Sequence, residues 1–458
     1  MLKTIRQSTS GAQALLALLL VLLATEIAWI LTEAPLFAYA SRTVLCVLCL
    51  LGAPFFTIRE VSLVAFALVS TALVYTLSGD QAAILDALDL ATFFAAFIWT
   101  LTAMRDVAAR SGSILAVGRY LILQPPGRRF FATALGGHFM GVFLNFGAVS
   151  LMAPMIQSTN PGPALERRQI SALIRGFSWV ILWAPTTLTQ AVLLTIFTDI
   201  TWPEAAIMGL GTAALFILVG RLYDRWEWRH EPPHSGGPSL PLPRRAVLVV
   251  SGICTAMIGA TIIGNIAFDF SIAQALLFIA PTTTWAWFLA QKPPSLGTIG
   301  HRTSALFTTL TPSAVALARS AVALGVAGYL GRLIGQTLPM DQIAEGVRLA
   351  TWPGWLFLAV LPVLINLGGQ IALSPILIVV LLGEVFRNAA ALPVGHAEIY
   401  FALSVGWALS MTMSPNATAT LLISAASRIP ATTLTWRWNL RYGLICYAIA
   451  VGIFALIA

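Results

Sequence analysis

Four short stretches hold the polar residues with which this chain could do chemistry. Asn145, Gly147 and Ser150 form the first, and Thr186, Thr187 and Thr189 the second. Asn366, Gly368, Gly369, Gln370 and Ser374 form the third, and Ser414, Asn416, Thr418 and Thr420 the fourth. All are neutral hydroxyl, amide or glycine positions in apolar surroundings. They offer oxygen ligands to a sodium ion and hydroxyl or amide donors to an anion. No Asp or Glu lies within 129 to 157, 170 to 198 or 352 to 383, so a cationic substrate would meet no counter-charge there, and the set suits an anion. Small and hydroxyl residues also serve ordinary helix packing in membranes, so each cluster weighs more than any one member.

Proton coupling needs a titratable group, and within these hairpin segments His138 is the candidate. The competing role for His138 is a neutral ring hydrogen-bonded to its neighbours. Arg175 lies near the start of an apolar stretch, from which its long stem can snorkel to the interface. Arg319 sits deeper and needs a carboxylate, for which Asp86 and Asp89 are the expected partners, whereas Glu26 stands isolated. Cys46, Cys49, Cys254 and Cys446 all fall in apolar runs. Cys46 and Cys49 form a CxxC, but no second pair or nearby histidine completes a metal site, and buried Cys behaves as a small apolar residue. No cofactor is expected beyond a sodium ion.

The elements that position these stretches repeat. A shift of 221 lays FLNFGAVSLMAP over LINLGGQIALSP, so that Asn145 meets Asn366 and Gly147 meets Gly368. A shift of 230 lays GFSWVILWAPTT over GWALSMTMSPNA, pairing Gly176 with Gly406 and Pro185 with Pro415. Asn-x-Gly in the middle of an apolar segment favours a turn, which predicts re-entrant hairpins over 129 to 157 and 352 to 386. A central proline removes a backbone donor, which predicts helices broken at mid-depth over 170 to 198 and 397 to 427. Half-helix ends at a break present free N–H groups to an anion and free carbonyls to a cation.

The whole chain is apolar enough to require lipid. It is 58% hydrophobic and 10% charged, against roughly 25% charged in soluble domains. Stretches of about 20 apolar residues predict spans near 13 to 32, 35 to 54, 58 to 78, 83 to 104, 203 to 220, 246 to 266, 271 to 290, 305 to 331 and 440 to 457. The first is too long for a signal sequence and reads as a retained helix. Residues 1 to 34 then form an N-terminal helix, 35 to 221 one repeat, 222 to 245 a proline-rich cytoplasmic linker and 246 to 458 the second repeat. Segments 113 to 124 and 339 to 350 read as interfacial helices.

With both hairpins re-entrant and the N-terminus inside, 20 of the 26 Lys and Arg lie on the inner side, and only Arg332, Arg348 and Arg387 outside. That bias follows the positive-inside rule. The expected fold is therefore all-α and integral to the membrane, with about 11 transmembrane helices and two hairpins in two inverted repeats. The C-terminus falls outside. The basic balance is accounted for by topology, so no nucleic-acid partner is expected.

This plan resembles the ion-transporter superfamily, most closely its divalent anion/sodium symporter branch. The likeness covers essentially the whole chain: span order, hairpins, the interfacial helix before each hairpin, and SPNATAT at 414 to 420. That branch carries Ser-Asn-Thr at the hairpin tips, where this chain has Asn145-Phe146-Gly147 and Asn366-Leu367-Gly368, and WAPTTLTQ at 183 to 190 departs further. The resemblance implies a homodimer in the cell inner membrane, a static scaffold and a mobile transport domain moving elevator-fashion, with the interfacial helices as arms. The expected function is secondary transport of a carboxylate or oxyanion driven by Na+ or H+. Two alternatives stand beside it. One is the large membrane subunit of a tripartite transporter that needs an external binding protein. The other is a membrane-embedded transferase, for which an acidic or metal-ligand cluster near an interface is expected. The sequence contains no phosphate-binding glycine loop.

Overall fold

The computed structural model describes residues 9 to 125, 128 to 159, 162 to 230, 240 to 291, 298 to 337, 342, 345, 346, 348 to 371, 373 to 389 and 391 to 458. Among them the regular structure is helical throughout, and the protein is an all-α integral membrane protein. Among the described residues, nine helical stretches are long and apolar enough to cross a bilayer. The two further crossings expected from the sequence fall on the segments with central breaks, which are not among those nine.

Two compact units divide the chain. The first comprises Met1–Ala108, Ala260–Met340 and Val380–Asn388, and the second Ala109–Gly259, Asp341–Val379 and Ala389–Ala458.

In the first unit, α1 (Thr9–Thr32), α2 (Pro35–Gly52) and α3 (Ile58–Leu77) precede the long α4 (Gln81–Ala108). Thr57 and Glu60 cap α3 reciprocally, so two otherwise orphaned donors are satisfied. Helix α11 (Arg244–Phe268) enters this unit at its C-terminal part, followed by α12 (Ile272–Gln291), α13 (Ile299–Leu310) and α14 (Ala314–Thr337). A 3-10 turn at Thr311–Ser313 joins the last two, so the expected span at 305 to 331 is the middle of a longer helical stretch. Its core is the pairing of α4 with α14. A Cβ at Gly325 would lie 2.8 Å from the Ala91 carbonyl oxygen, and one at Gly328 would lie 2.5 Å from the Phe94 ring. Absent side chains let the two backbones close up, the usual basis of helix association in lipid.

Ion pairs in this unit differ from the expected ones. Asp89 forms a two-pronged pair with Arg42, both contacts at 2.7 Å, and Arg319 meets Glu60 at 3.2 Å. Asp86 pairs with Arg332 instead. Nor is Glu26 isolated: it is buried near the hydroxyls of Thr92 and Ser41.

The second unit begins with α5 (Gly112–Ile122), whose buried stripe Ile114, Gly118, Ile122 has the four-residue spacing of one helix face. Helices α6 (Arg129–Leu144) and α7 (Gly147–Thr159) form hairpin 1. Next, α8 (Pro163–Phe177) runs into a 3-10 turn at Ser178–Leu182, breaks, and resumes as α9 (Leu188–Ile196). Helix α10 (Trp202–Glu227) continues seven residues past the expected span. Its last turns carry Asp224 and Glu227, which bind Arg168 and Arg167 of α8 at 2.7 Å each. The charges that made 222 onward read as linker are thus a folded helix end. Residues 231 to 239 of that linker, and half of the expected arm at 339 to 350, lie outside the described residues.

Hairpin 2 is α15 (Gly354–Gln370) and α16 (Pro375–Asn388), with α16 grouped into the first unit from Val380 onward. Helix α17 (His396–Met413) breaks and resumes as α18 (Thr418–Ser427). A π-helical turn at Thr433–Arg437 leads to the last helix, α19 (Leu440–Ile457). Arg175 does not snorkel: it is buried and fastens α8 to this turn. Its Nε donates to Asn439 Oδ1 at 2.9 Å and its Nη2 to the Trp438 carbonyl at 3.1 Å, with Glu227 at 3.2 Å. The rings of Tyr223 and Tyr442 lie 4.9 and 5.1 Å from its guanidinium, a stacking that suits a dehydrated arginine.

Candidate functional site

Each hairpin's first arm is docked on the first half of a broken helix by one side chain. His138 of α6 places Nδ1 3.0 Å from the Gly176 carbonyl, and Trp183 Nε1 donates to His138 Nε2 at 2.9 Å. An indole can only donate, so Nε2 is the acceptor and Nδ1 carries the hydrogen. In the second repeat, Asn366 of α15 donates from Nδ2 to the Pro362 carbonyl at 2.8 Å and to the Gly406 carbonyl at 3.4 Å. Gly176 and Gly406 are the pair found by the shift of 230, and His138 and Asn366 are 228 apart.

Contacts confirm that register. A Cβ at Gly176 would overlap the Ala134 carbonyl, and one at Gly406 would lie 2.9 Å from Pro362 Cα; Ala134 and Pro362 are again 228 apart, as are the helix starts Gly147 and Pro375. The hairpins therefore correspond at 228, not 221. The turn expected at Asn366–Gly368 is absent: α15 runs through to Gln370, and the chain turns between there and Pro375. The seven-residue error is two helical turns, which leaves every residue on nearly the same helix face.

The two tips differ accordingly. Asn145 ends α6 at φ 47° and ψ −129°, a conformation costly for a residue with a Cβ. Its side chain is buried, and its Oδ1 accepts no hydrogen bond among the described residues. Asn366 Oδ1 is likewise buried and unmatched. Gly147 opens α7, and Ser150 turns its hydroxyl back to the Phe146 carbonyl at 3.0 Å. Ser374 is the N-cap residue of α16 but makes no side-chain cap.

Four of the second-repeat residues, Gly369, Gln370, Ser414 and Asn416, form one hydrogen-bonded cluster at the end of α15. Gly369 O accepts from Ser414 Oγ at 2.8 Å and from Asn416 Nδ2 at 3.0 Å. Gln370 Nε2 donates to the Met413 carbonyl at 3.2 Å, while its Oε1 accepts from Trp436 at 3.0 Å. A Cβ at Gly369 would lie 2.7 Å from Ser414 Oγ. Glycine serves here for close approach, not for a turn. In the first repeat, Thr186 Oγ1 donates to the Val142 carbonyl of hairpin 1, and Thr187 Oγ1 donates to Ala184 O at 2.8 Å. Thr189 is buried in the first turn of α9, and Thr418 is half-buried at the start of α18.

Both breaks are bridged in the same way. Gln190 Nε2 donates to the Ile181 and Leu182 carbonyls at 3.1 and 3.0 Å. Thr420 Oγ1 donates to the Met411 carbonyl at 3.1 Å. Gln190 and Thr420, like Ile181 and Met411, are 230 apart. Each reaches back nine residues to a carbonyl that the break deprives of its helical donor. Tyr400 of α17 also donates to Gln190 Oε1 at 2.6 Å, linking the second broken helix to the first. Gln190, Trp183, Trp436 and Tyr400 were not among the expected site residues; pairing Gln190 with Thr420 through the repeat is the signal that could have found it.

What remains open at each break is the start of the second half-helix. Neither α9 nor α18 has a side-chain cap, so its first-turn N–H groups can receive an acceptor. Among the described residues, no group of three or more His, Cys, Asp or Glu is placed to hold a metal ion.

No family model and no curated protein sequence matches the chain. Solved structures do. The YdaH transporter of Alcanivorax borkumensis is 16% identical and superposes with a TM-score of 0.55, covering 86% of this chain and 98% of that one. MtrF of Neisseria gonorrhoeae, described as illuminating a class of antimetabolite efflux pumps, is 15% identical with a TM-score of 0.47, covering 80% of this chain and 82% of that one. The first likeness shows a shared fold.

Proposed function

We propose that this protein is a secondary active transporter that moves a small carboxylate or oxyanion across the cell inner membrane, coupled to Na+ or H+. The observation that carries the reading is the pair of uncapped half-helix N-termini, at α9 and α18, each following a break whose carbonyls are already bridged by Gln190 or Thr420. Such ends attract negative charge through their free N–H groups and dipoles. The fold shared with a transporter supports the class. Working as its resemblance to the divalent anion/sodium symporter branch implies, the chain would be an elevator-type homodimer, with its N-terminus cytoplasmic and its C-terminus outside. A bound sodium ion would use neutral oxygens such as Asn145 Oδ1 and Asn366 Oδ1.

The test is thermal stabilisation of purified protein by a panel of dicarboxylates, sulfate and phosphate, with sodium present or replaced by choline. Binding raises the apparent melting temperature. Stabilisation by an anion supports the reading, and its loss in choline identifies sodium as the coupling ion. Stabilisation that persists in choline points to protons. No stabilisation by any anion overturns the anion assignment.

A further inference from the structure

The two hairpins differ at one buried position. In the register that pairs Gly147 with Pro375, Glu384 of α16 stands where α7 has Ile156, and both side chains are fully buried. An apolar residue fills the place in one repeat, so packing does not require a carboxylate there. Burying one costs several kcal/mol unless it is well paired.

Glu384 is held against α14. Arg332 Nε lies 2.9 Å from Glu384 Oε1, while Nη1 of the same guanidinium lies 3.2 Å from Asp86 Oδ2 on α4. Gln336 Nε2 donates to that Asp86 oxygen at 2.6 Å. Glycines set the separation of the helices: a Cβ at Gly331 would overlap Val380, and one at Gly335 would lie 2.7 Å from Glu384 Cβ. The charged groups that act on Glu384 are Arg332, Asp86 and, on its own helix, Arg387. Asp86 is 50% exposed whereas Glu384 is sealed, so one guanidinium joins a solvated carboxylate to a dry one.

We propose that Glu384, Arg332 and Asp86 form a proton-operated clasp on the second arm of hairpin 2. Ionised Glu384 pairs with Arg332 and holds α16 on α14. When a proton from water binds the Glu384 carboxylate, Arg332 keeps its charge and its pairing with Asp86, Glu384 becomes neutral, and α16 is released. The clasp itself is independent of the transport reading. Only its consequence, that release frees hairpin 2 and makes H+ the coupling ion, rests on that reading.

The experiment is hydrogen–deuterium exchange of purified full-length protein between pH 5 and 9. Protection of peptides from 375 to 389 is expressed relative to peptides from 272 to 291, which cancels the pH dependence of intrinsic exchange. The wild type should lose protection over 375 to 389 by about tenfold or more towards acid. Glu384→Gln should show the acid-state protection at every pH. Should that variant fail to fold, Glu384→Gln/Arg332→Gln removes both charges and leaves no buried ion alone, and it should be equally pH-independent. A pH-independent wild type, or a double variant with the wild-type profile, overturns the clasp. In proteoliposomes, uptake of radiolabelled succinate, sulfate or phosphate driven by an imposed pH gradient, and abolished in Glu384→Gln, ties the clasp to transport. Gradient-driven uptake that survives in Glu384→Gln overturns the coupling step alone. Absence of uptake by the wild type, with the exchange result intact, overturns the transport reading and the coupling step built on it while leaving the clasp standing.

Discussion

His138 spends both ring nitrogens on the protein, one on Gly176 O and one on the Trp183 indole. Protonating Nε2 would set two donors against each other, so the ring works as a neutral tether. Asn366 performs the same docking in the second repeat, which makes His138→Asn the informative substitution. It should fold and keep the wild-type pH profile of anion-induced stabilisation. His138→Leu orphans the Gly176 carbonyl and the indole N–H and should cost roughly 1–3 kcal/mol per buried group, read as a lower melting temperature. A flattened pH profile in His138→Asn would instead make His138 the proton carrier. Asn145 separates strain from binding in a different way. Asn145→Gly relieves its positive-φ backbone and should raise the melting temperature by the equivalent of about 1 kcal/mol. It also removes Oδ1, so an anion or sodium that uses this oxygen should bind at least tenfold more weakly. Equal binding by Asn145→Gly excludes Oδ1 as a ligand.

At the scale of elements, the breaks endure because a side chain replaces the lost helical donor. Gln190→Leu strips a donor from two carbonyls and an acceptor from Tyr400, whereas Thr420→Val strips one carbonyl. Both should destabilise the protein by about 1–3 kcal/mol, Gln190→Leu more, and denaturant unfolding in detergent measures the order. Equal stability of Thr420→Val and wild type would mean that water, not Thr420, satisfies Met411 O. The breaks were legible in the sequence because Pro185 and Pro415 leave an unambiguous mark and align with Gly176 and Gly406. The second hairpin tip was not. A seven-residue slip preserves the helix face, so FLNFGAVSLMAP matched LINLGGQIALSP while the true turn lay beyond Gln370. Asn366 keeps its helix because its Nδ2 finds acceptors in Pro362 O and Gly406 O, the second of which is in reach only after folding. Ion-pair partners were hidden for the same reason: Arg319 chooses Glu60 over Asp86 through tertiary neighbours, and Asp224 and Glu227 read as loop charges until Arg167 and Arg168 are seen opposite them.

For the whole molecule, the decisive quantity is the parity of its crossings. In the proposed topology the nine candidate spans among the described residues and the two broken segments cross, while each hairpin returns to the side it entered; the count is then odd, and the second repeat would run inverted to the first. An inverted pair presents equivalent sites to opposite sides of the membrane, which is what alternating access through related halves requires. Parity is open to a direct test in a variant whose four cysteines are replaced. Ser78→Cys, between α3 and α4, and a cysteine added after Ala458 should both react with an impermeant maleimide in intact cells. Thr298→Cys, at the start of α13, should react only after permeabilisation. Labelling of both Ser78→Cys and Thr298→Cys from outside would mean that α11 to α13 do not alternate as their hydropathy requires. A protected C-terminal cysteine beside a labelled Ser78→Cys would mean that one hairpin crosses fully, in which case the repeats would run parallel and the symmetric breaks would face the same side.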